Sequence, residues 1–255
     1  MRDSAVRVGL VYPELLGTYG DRGNALVLVQ RCVWRGIAAE LVEVEAGAPI
    51  PDSLDVYLFG GGEDDPQAMA AAGMRASRAA VDRARGGGSV VFAVCAGFQN
   101  IGTSYTLADG TVIEGMGLVD CATVAGSPRL IGEVVVEPDA PLPRLTGFEN
   151  HGGRTTLGPG VAPLGRVITG GGNGVAPGDG QGVDGAQAER LLATYLHGPV
   201  LPRNPDLADH LLQWIVGDLD PLESVWEERL RAQRLEAGSK TGVAKWIQDR
   251  LLARG

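Results

Sequence analysis

The sequence predicts an α/β fold, a mostly parallel β-sheet flanked by helices with a helical extension at the C-terminal end. Three observations carry that expectation. Short runs rich in β-branched residues alternate with longer helical patterns at residues 6–12, 24–35, 41–44, 56–59, 66–85 and 90–94, the pattern of parallel strands joined by helical crossovers. Boundary residues stand where the periodicity changes: Asp64 and Asp65 precede Pro66 as cap and first-turn proline, and Gly86, Gly87 and Gly88 close the same helix. The chain has 255 residues, enough for one large domain with a substantial core.

The later elements follow the same reasoning. After 90–94 the sequence reads as a short helix, then a strand at 131–136, then a Gly-rich stretch at 169–185 expected to be a mobile surface loop. Leu191 to Leu196 reads as a further buried strand, stopped by Gly198 and Pro199, so His197 is expected at a strand end. Asn204 and Pro205 cap a helix that carries Leu207, Leu211, Leu212 and Ile215 along one face. The domain is expected to span 1–217 and the helical extension 218–255. Within the extension, 223–235 and 243–252 read as two amphipathic helices joined by Ala237, Gly238 and Ser239, either packed on the domain or docking a partner.

The formal charge of −9, without any cluster of Lys or Arg, argues against a nucleic-acid groove or an anionic membrane surface as the target. Cys32, Cys95 and Cys121 are an odd, widely spaced set without metal-ligand spacing. Neither a disulfide framework nor a metal site is expected, and a reducing cytoplasm fits best. No apolar stretch reaches the length of a spanning helix, and no export signal is read at the start of the chain.

The chemistry centres on Cys95. It follows the apolar run at 90–94 and precedes Ala96, Gly97, Phe98 and Gln99, an order of strand, sharp turn and helix that lifts a nucleophile above a sheet. The positive end of the following helix is expected to favour its thiolate. A lone cysteine in an apolar run is ordinarily a small core hydrophobe, so the rest of the constellation decides. A parallel sheet brings the carboxyl ends of its strands to one crevice, which makes His197 a spatial neighbour of Cys95 and a candidate base. Gly60, Gly61 and Gly62 follow the strand at 56–59 at the same edge, and the N–H groups of Gly61 and Ala96 are the candidate oxyanion pair. His151, ahead of Gly152 and Gly153, is a rival base if that Gly-Gly pair forms a turn. Arg129 is a candidate clamp for a substrate carboxylate. His210, beside Leu211 and Leu212, reads as structural.

Four blocks occur in order: Phe59-Gly60-Gly61-Gly62-Glu63-Asp64-Asp65, Cys95-Ala96-Gly97-Phe98-Gln99, Gly147-Phe148-Glu149-Asn150-His151-Gly152-Gly153-Arg154-Thr155 and Tyr195-Leu196-His197-Gly198-Pro199. Together they resemble the class I glutamine amidotransferase domains of the cobyric-acid-synthase-like branch, and within it the GatD-type subunits of lipid II isoglutaminyl synthases. The resemblance implies a flavodoxin-like sheet and a glutaminase with Cys95 as nucleophile, His197 as its partner, Gly61 and Ala96 as oxyanion donors, and Gln99 and Arg129 holding L-glutamine. It further implies a Mur-ligase-like partner of the MurT type, which receives the ammonia and amidates the D-glutamate of lipid II. ATP and Mg are expected on that partner, and no cofactor in this chain. Class I domains usually carry a glutamate two residues after the histidine, and here that position is Pro199. The site within the chain is then a dyad, with any third carboxylate supplied elsewhere in the fold or by the partner. Two other readings stay open at this level. One is an amidotransferase subunit for another acceptor, such as a cobyric-acid-type substrate; the other is a cysteine hydrolase, a glyoxalase-like enzyme or a non-catalytic regulatory protein of the same topology.

Overall fold

The computed structural model of the chain describes residues 4–139, 141–174 and 182–252. Its first part comprises β1 (Val6–Val11), α1 (Arg22–Val33), β2 (Ala39–Val44), β3 (Val56–Phe59), α2 (Asp64–Ala76), α3 (Arg78–Gly86), β4 (Val90–Val94) and α4 (Ala96–Ile101). Then follow β5 (Ser104–Thr106), β6 (Val112–Glu114), β7 (Cys121–Pro138), β8 (Leu145–Leu157), β9 (Gly165–Thr169), β10 (Val183–Asp184), β11 (Ala186–Ala188) and β12 (Leu191–Thr194). The remaining helices are α5 (Val200–Arg203), α6 (Pro205–Val216) and α7 (Val225–Leu252).

The expected sheet is present in the order β11-β12-β4-β3-β1-β2, parallel throughout except for the edge strand β11. Every residue of β3, β4 and β12 is buried. Strands covered on both faces need unbroken apolar runs, and Val-Tyr-Leu-Phe and Val-Val-Phe-Ala-Val supply them. The strand order reverses between β1 and β3, so the carboxyl ends of β1, β3, β4 and β12 open on one crevice.

A second sheet, β10-β9-β7-β5-β6 with β8 paired to β7, is mostly antiparallel and was not anticipated. It is joined to the first where Phe148 of β8 and His197 exchange both backbone hydrogen bonds, at 3.1 and 2.8 Å. The long β7/β8 ribbon therefore leans directly on the segment that carries His197.

Several expected boundaries move, each for a local reason. The helix expected at 66–85 is two helices, α2 and α3, broken at Ser77. The buried Ser77 hydroxyl accepts the Ile50 N–H at 3.1 Å, and its ψ of 4° leaves the helical range. The N-cap of α2 is Glu63, with Asp64 and Asp65 in the first turn. The strand expected at 131–136 is the middle of β7, and the strand expected to reach Leu196 ends at Thr194. The Gly-rich stretch is tied down at both described ends: Gly171 and Gly172 donate to Glu149 at 2.8–3.0 Å, and Asn173 and Gly185 exchange two bonds. Residues 175–181 of that stretch lie outside the described residues.

The two helices expected in the extension are one, α7, whose backbone runs unbroken through Ala237, Gly238 and Ser239. One glycine costs a helix only about 1 kcal/mol, and this one is used for close packing, since a Cβ on Gly238 would lie 2.7 Å from Cγ2 of Val135. Ion pairs from Arg231 to Asp206 and from Arg234 to Glu133 seat the first half of α7 on the body.

Gly97, in the first turn of α4, crosses the end of β3 so closely that a Cβ would sit 2.4 Å from the Phe59 carbonyl oxygen. Gly97→Ala is expected to cost about 1–3 kcal/mol by overpacking against backbone that cannot give way. A urea midpoint shifted by less than half of that would mean the elbow has room to spare.

Candidate active site

Cys95 joins β4 to α4 with φ 51° and ψ −106°, a left-handed conformation that non-glycine residues rarely adopt. Neighbouring backbone holds it there. Its N–H donates to Thr194 O of β12 at 2.9 Å, its carbonyl accepts the Gln99 N–H at 3.0 Å, and the Gly97 N–H reaches Gly60 O at 2.9 Å. One small cluster of bonds thus ties the cysteine to the ends of β12 and β3.

The expectation of a stabilised thiolate is reversed in this state. Burial pushes the Cys95 thiol far above its ordinary range, the nearby Asp21 carboxylate adds to the rise, and the Ala96 N–H opposes both. A helix of six residues offers too little dipole to outweigh that desolvation.

His197 is fully buried, and neither ring nitrogen has a hydrogen-bond partner among the described residues. Burial first, and then the Arg129 charge, lower its pKa to about 4, so it rests as a neutral imidazole. Tyr19 covers it with ring centroids 4.6 Å apart. On the other side a Cβ added to Gly61 would meet the imidazole Cε1 at 2.7 Å, so only glycine fits beside it. The parallel register of β4 with β12 and the bond from Cys95 to Thr194 bring the Cys95 and His197 segments to one edge, as expected.

His151 does not precede a turn. It lies within β8, almost fully buried and stacked on Tyr195 at 3.7 Å. Gly152 and Gly153 continue the strand, and at Gly153 space is short: a Cβ there would lie 2.4 Å from Nε2 of Gln99. Burial, then His197, push the His151 pKa down to about 3. It forms part of the floor beneath Tyr195 rather than an exposed base.

Gln99 is also buried and spends its amide inside the protein, accepting from Gln67 at 2.7 Å and donating to the Tyr195 hydroxyl at 3.1 Å. Arg129 stands on an excursion of β7, where Gly126, Ser127, Pro128 and Arg129 face the single residue Gly152 of β8. Its guanidinium donates to the Asn150 side chain at 2.6 Å and the Asn150 carbonyl at 3.0 Å, and its charge reaches both Cys95 and His197.

Two buried carboxylates escaped the sequence reading. Asp21 accepts the Gly61 N–H at 2.7 Å and the Asn24 amide at 3.1 Å, while Asn24 accepts the Leu201 N–H at 2.9 Å. Burial raises its pKa to about 6 against the pull of that Gly61 bond. The candidate oxyanion donor is therefore engaged by Asp21 in this state. Asp21 stands where a helix N-cap belongs, but makes no cap bond and turns inward instead. Asp184 accepts from the Thr194 hydroxyl and the Tyr195 N–H at 2.5 and 3.1 Å, fixing the last turn before His197, and burial raises its pKa to about 7.

The three cysteines are free thiols, and among the described residues no group of three His, Cys, Asp or Glu side chains converges as metal ligands would. No described helix is long and apolar enough to cross a membrane.

A cysteine on a strained elbow, a buried imidazole and glycine backbone at the same sheet edge form a candidate site for cysteine-dependent acyl transfer. The chain belongs to the CobB/CobQ-like glutamine amidotransferase family, whose domain model matches residues 7–205. It is 38% identical to the glutamine-hydrolysing GatD subunit of lipid II isoglutaminyl synthase from Staphylococcus aureus, over 78% of this chain and 80% of that protein. The corresponding subunit from Streptococcus pneumoniae is 32% identical over 81% of this chain and 79% of its own length. A solved glutamine amidotransferase structure shares the fold, with a TM-score of 0.57 at 18% identity, over 83% of this chain and 100% of that one.

Asp21→Asn keeps an oxygen for Gly61 but removes the charge that raises the Cys95 thiol, so iodoacetamide is expected to alkylate Cys95 faster in the variant at neutral pH. An unchanged rate would separate Asp21 from the thiol. Asp184 keeps its proton in the folded protein up to about pH 7, whereas its ordinary value is 3.8. The folded state then binds more protons than the unfolded one between these values, so the stability this group contributes is present at low pH and lost as pH rises from about 4 to 7. Asp184→Asn is expected to match wild type near pH 4 and to exceed it at pH 8 by up to roughly 4 kcal/mol. Parallel urea midpoints across pH would refute this.

Proposed function

We propose that this chain is the glutaminase subunit of a lipid II isoglutaminyl synthase, working with a MurT-like Mur ligase in the cytoplasm. The observation that carries the reading is the elbow cysteine and the buried His197 at one sheet edge, the imidazole without a hydrogen-bond partner among the described residues; the names of the two GatD relatives support lipid II as the acceptor. The geometry supports a two-stage hydrolysis. His197 takes the Cys95 proton as the sulfur attacks the side-chain amide carbon of L-glutamine, and Ala96 N–H, with Gly61 N–H released from Asp21, holds the oxygen that gains charge. Losing one such donor typically costs about 3 kcal/mol of transition-state stabilisation. The imidazolium then protonates the departing nitrogen, which leaves as ammonia, and the acyl group stays on sulfur as a thioester. Water, deprotonated by His197, cleaves the thioester to glutamate and restores the thiol. Arg129 clamps the substrate carboxylate, and Gln99 reaches the substrate only by exchanging one of its two internal bonds.

The ammonia passes to the partner, which uses ATP and Mg to activate the α-carboxylate of D-glutamate in the lipid II stem peptide, yielding D-isoglutamine. Pro199 occupies the position of the usual orienting glutamate, and both His197 nitrogens are unbonded among the described residues. In this reading the partner supplies the orienting group, and hydrolysis depends on assembly.

Glutamate and ammonia release from L-glutamine by wild type and Cys95→Ser, each alone and with the co-expressed ligase, tests both parts. Expected is release that needs Cys95 and rises at least roughly tenfold on assembly, a threshold set below the 10²–10⁴-fold that a positioned general acid or base typically contributes. No release from a demonstrably formed complex would overturn the glutaminase reading. Equal rates for the isolated chain and the complex would overturn completion by the partner.

A further inference from the structure

The mouth of the site carries two opposite charges that the hydrolysis described above does not both use. The Tyr19 phenol, packed over His197 at 4.6 Å, donates through its hydroxyl to Glu63 Oε1 at 3.4 Å and accepts from the Asn150 amide at 2.9 Å. Asn150 in turn accepts from the Arg129 guanidinium at 2.6 and 3.0 Å. Glu63, Tyr19, Asn150 and Arg129 thus form one hydrogen-bonded chain that passes over the fully buried His197, whose ring nitrogens have no hydrogen-bond partner among the described residues. A carboxylate stands at one end and a guanidinium at the other. Among the described residues, neither Glu63 nor Arg129 is in an ion pair.

Local structure does not account for Glu63. It is the N-cap residue of α2, yet its side chain makes no cap bond, and Asp64 and Asp65 already supply negative charge to that helix terminus. Both ends of the polar chain act on the reacting sulfur with opposite sign, the Arg129 charge favouring the thiolate and the Glu63 charge disfavouring it. A carboxylate that opposes the nucleophile needs another role.

Taking the glutaminase reading as given, we propose that Glu63 is a specificity residue that receives the α-ammonium of L-glutamine while Arg129 receives its α-carboxylate. The two separated charges match the zwitterionic head of a free amino acid whose side-chain amide extends down to Cys95. A substrate that lacks the ammonium leaves Glu63 unmatched next to its carboxylate. A glutamine residue within a peptide lacks both charges. The site thereby draws its nitrogen from free glutamine and spares the glutaminyl side chains of proteins. Sites built to bind a substrate polar group reject analogues without it far more strongly than apolar pockets reject a missing methylene.

The test compares L-glutamine with glutaramate, which keeps the amide and the carboxylate but lacks the α-ammonium, in the wild-type complex with its ligase and in the Glu63→Gln complex. Wild type is expected to favour L-glutamine in kcat/KM by at least roughly tenfold. Glu63→Gln should lose that preference, through a raised KM for L-glutamine and a higher kcat/KM for glutaramate, whose carboxylate no longer meets an unmatched charge. Should Glu63→Gln not fold, judged by its urea midpoint, Glu63→Ser is put through the same comparison. A preference that survives the substitution, an equal loss on both substrates, or a wild type indifferent to the ammonium would each overturn the assignment of Glu63. A wild-type complex that hydrolyses neither compound would instead overturn the glutaminase reading on which it rests.

Discussion

The left-handed backbone at Cys95 is the constraint from which the rest of the site follows. A non-glycine residue held there costs of order 1–3 kcal/mol, so the surrounding structure has to over-determine it. β12 does so through Thr194 O, and β3 through the carbonyl of Gly60. Those anchors are the last residues before the His197 turn and the first of the glycine run. The bonds that hold Cys95, the candidate nucleophile, in its strained position therefore also place the candidate base and the candidate oxyanion backbone. Gly97 is part of the same solution, because α4 can start at once after the turn only if no side chain stands between it and Phe59.

Burial then sets the electrostatics. Desolvation lifts the Cys95 thiol and the Asp21 and Asp184 carboxyls, and lowers both His151 and His197, so each of these groups is driven toward its neutral form. Glu63 and Arg129, by contrast, lie exposed at the rim. Burial thus opposes charge throughout the site, although Asp21, at about 6, still carries charge at neutral pH. Asp21 adds a further restraint: it occupies the Gly61 N–H and raises the thiol at once. Removing either effect favours reaction, and both originate in one carboxylate.

The sequence disclosed what continuous apolar runs and glycines encode. The runs at β3 and β4 are fully buried parallel strands and were read to the residue, because strands buried on both faces tolerate nothing polar. The likeness of four short blocks led to Cys95, His197 and their sheet edge for the same reason: glycine beside a ligand or a strained turn admits no substitute. What was missed depends on tertiary context. Gly152 and Gly153 look like a turn but continue β8 across Gln99 and Tyr195, and Gly238 looks like a break in α7 but packs on Val135. Asp21 looks like a cap, and only the folded chain shows it turned to Gly61. The second sheet gave no clear signal, since half-exposed strands such as β7 alternate with charges and glycines in a pattern shared with loops.

The substitution of proline two residues after His197 joins these threads. Pro199 starts the turn into α5, and a Cβ added to Gly23 would lie 2.6 Å from its ring. It therefore packs against the first turn of α1, between Asp21 and Asn24, the pair that grips Gly61 and Leu201. A glutamate at that position would orient the imidazole but forfeit this packing. The chain instead joins α1, the glycine run and the His197 turn into one rigid unit while the imidazole stays unoriented. A site organised in this way has its backbone in place before any partner arrives and lacks only charge and orientation. Under the proposed function, those are the two things that a zwitterionic substrate and a docked ligase subunit would bring, and a glutaminase whose ammonia served only that ligase would gain from waiting for both.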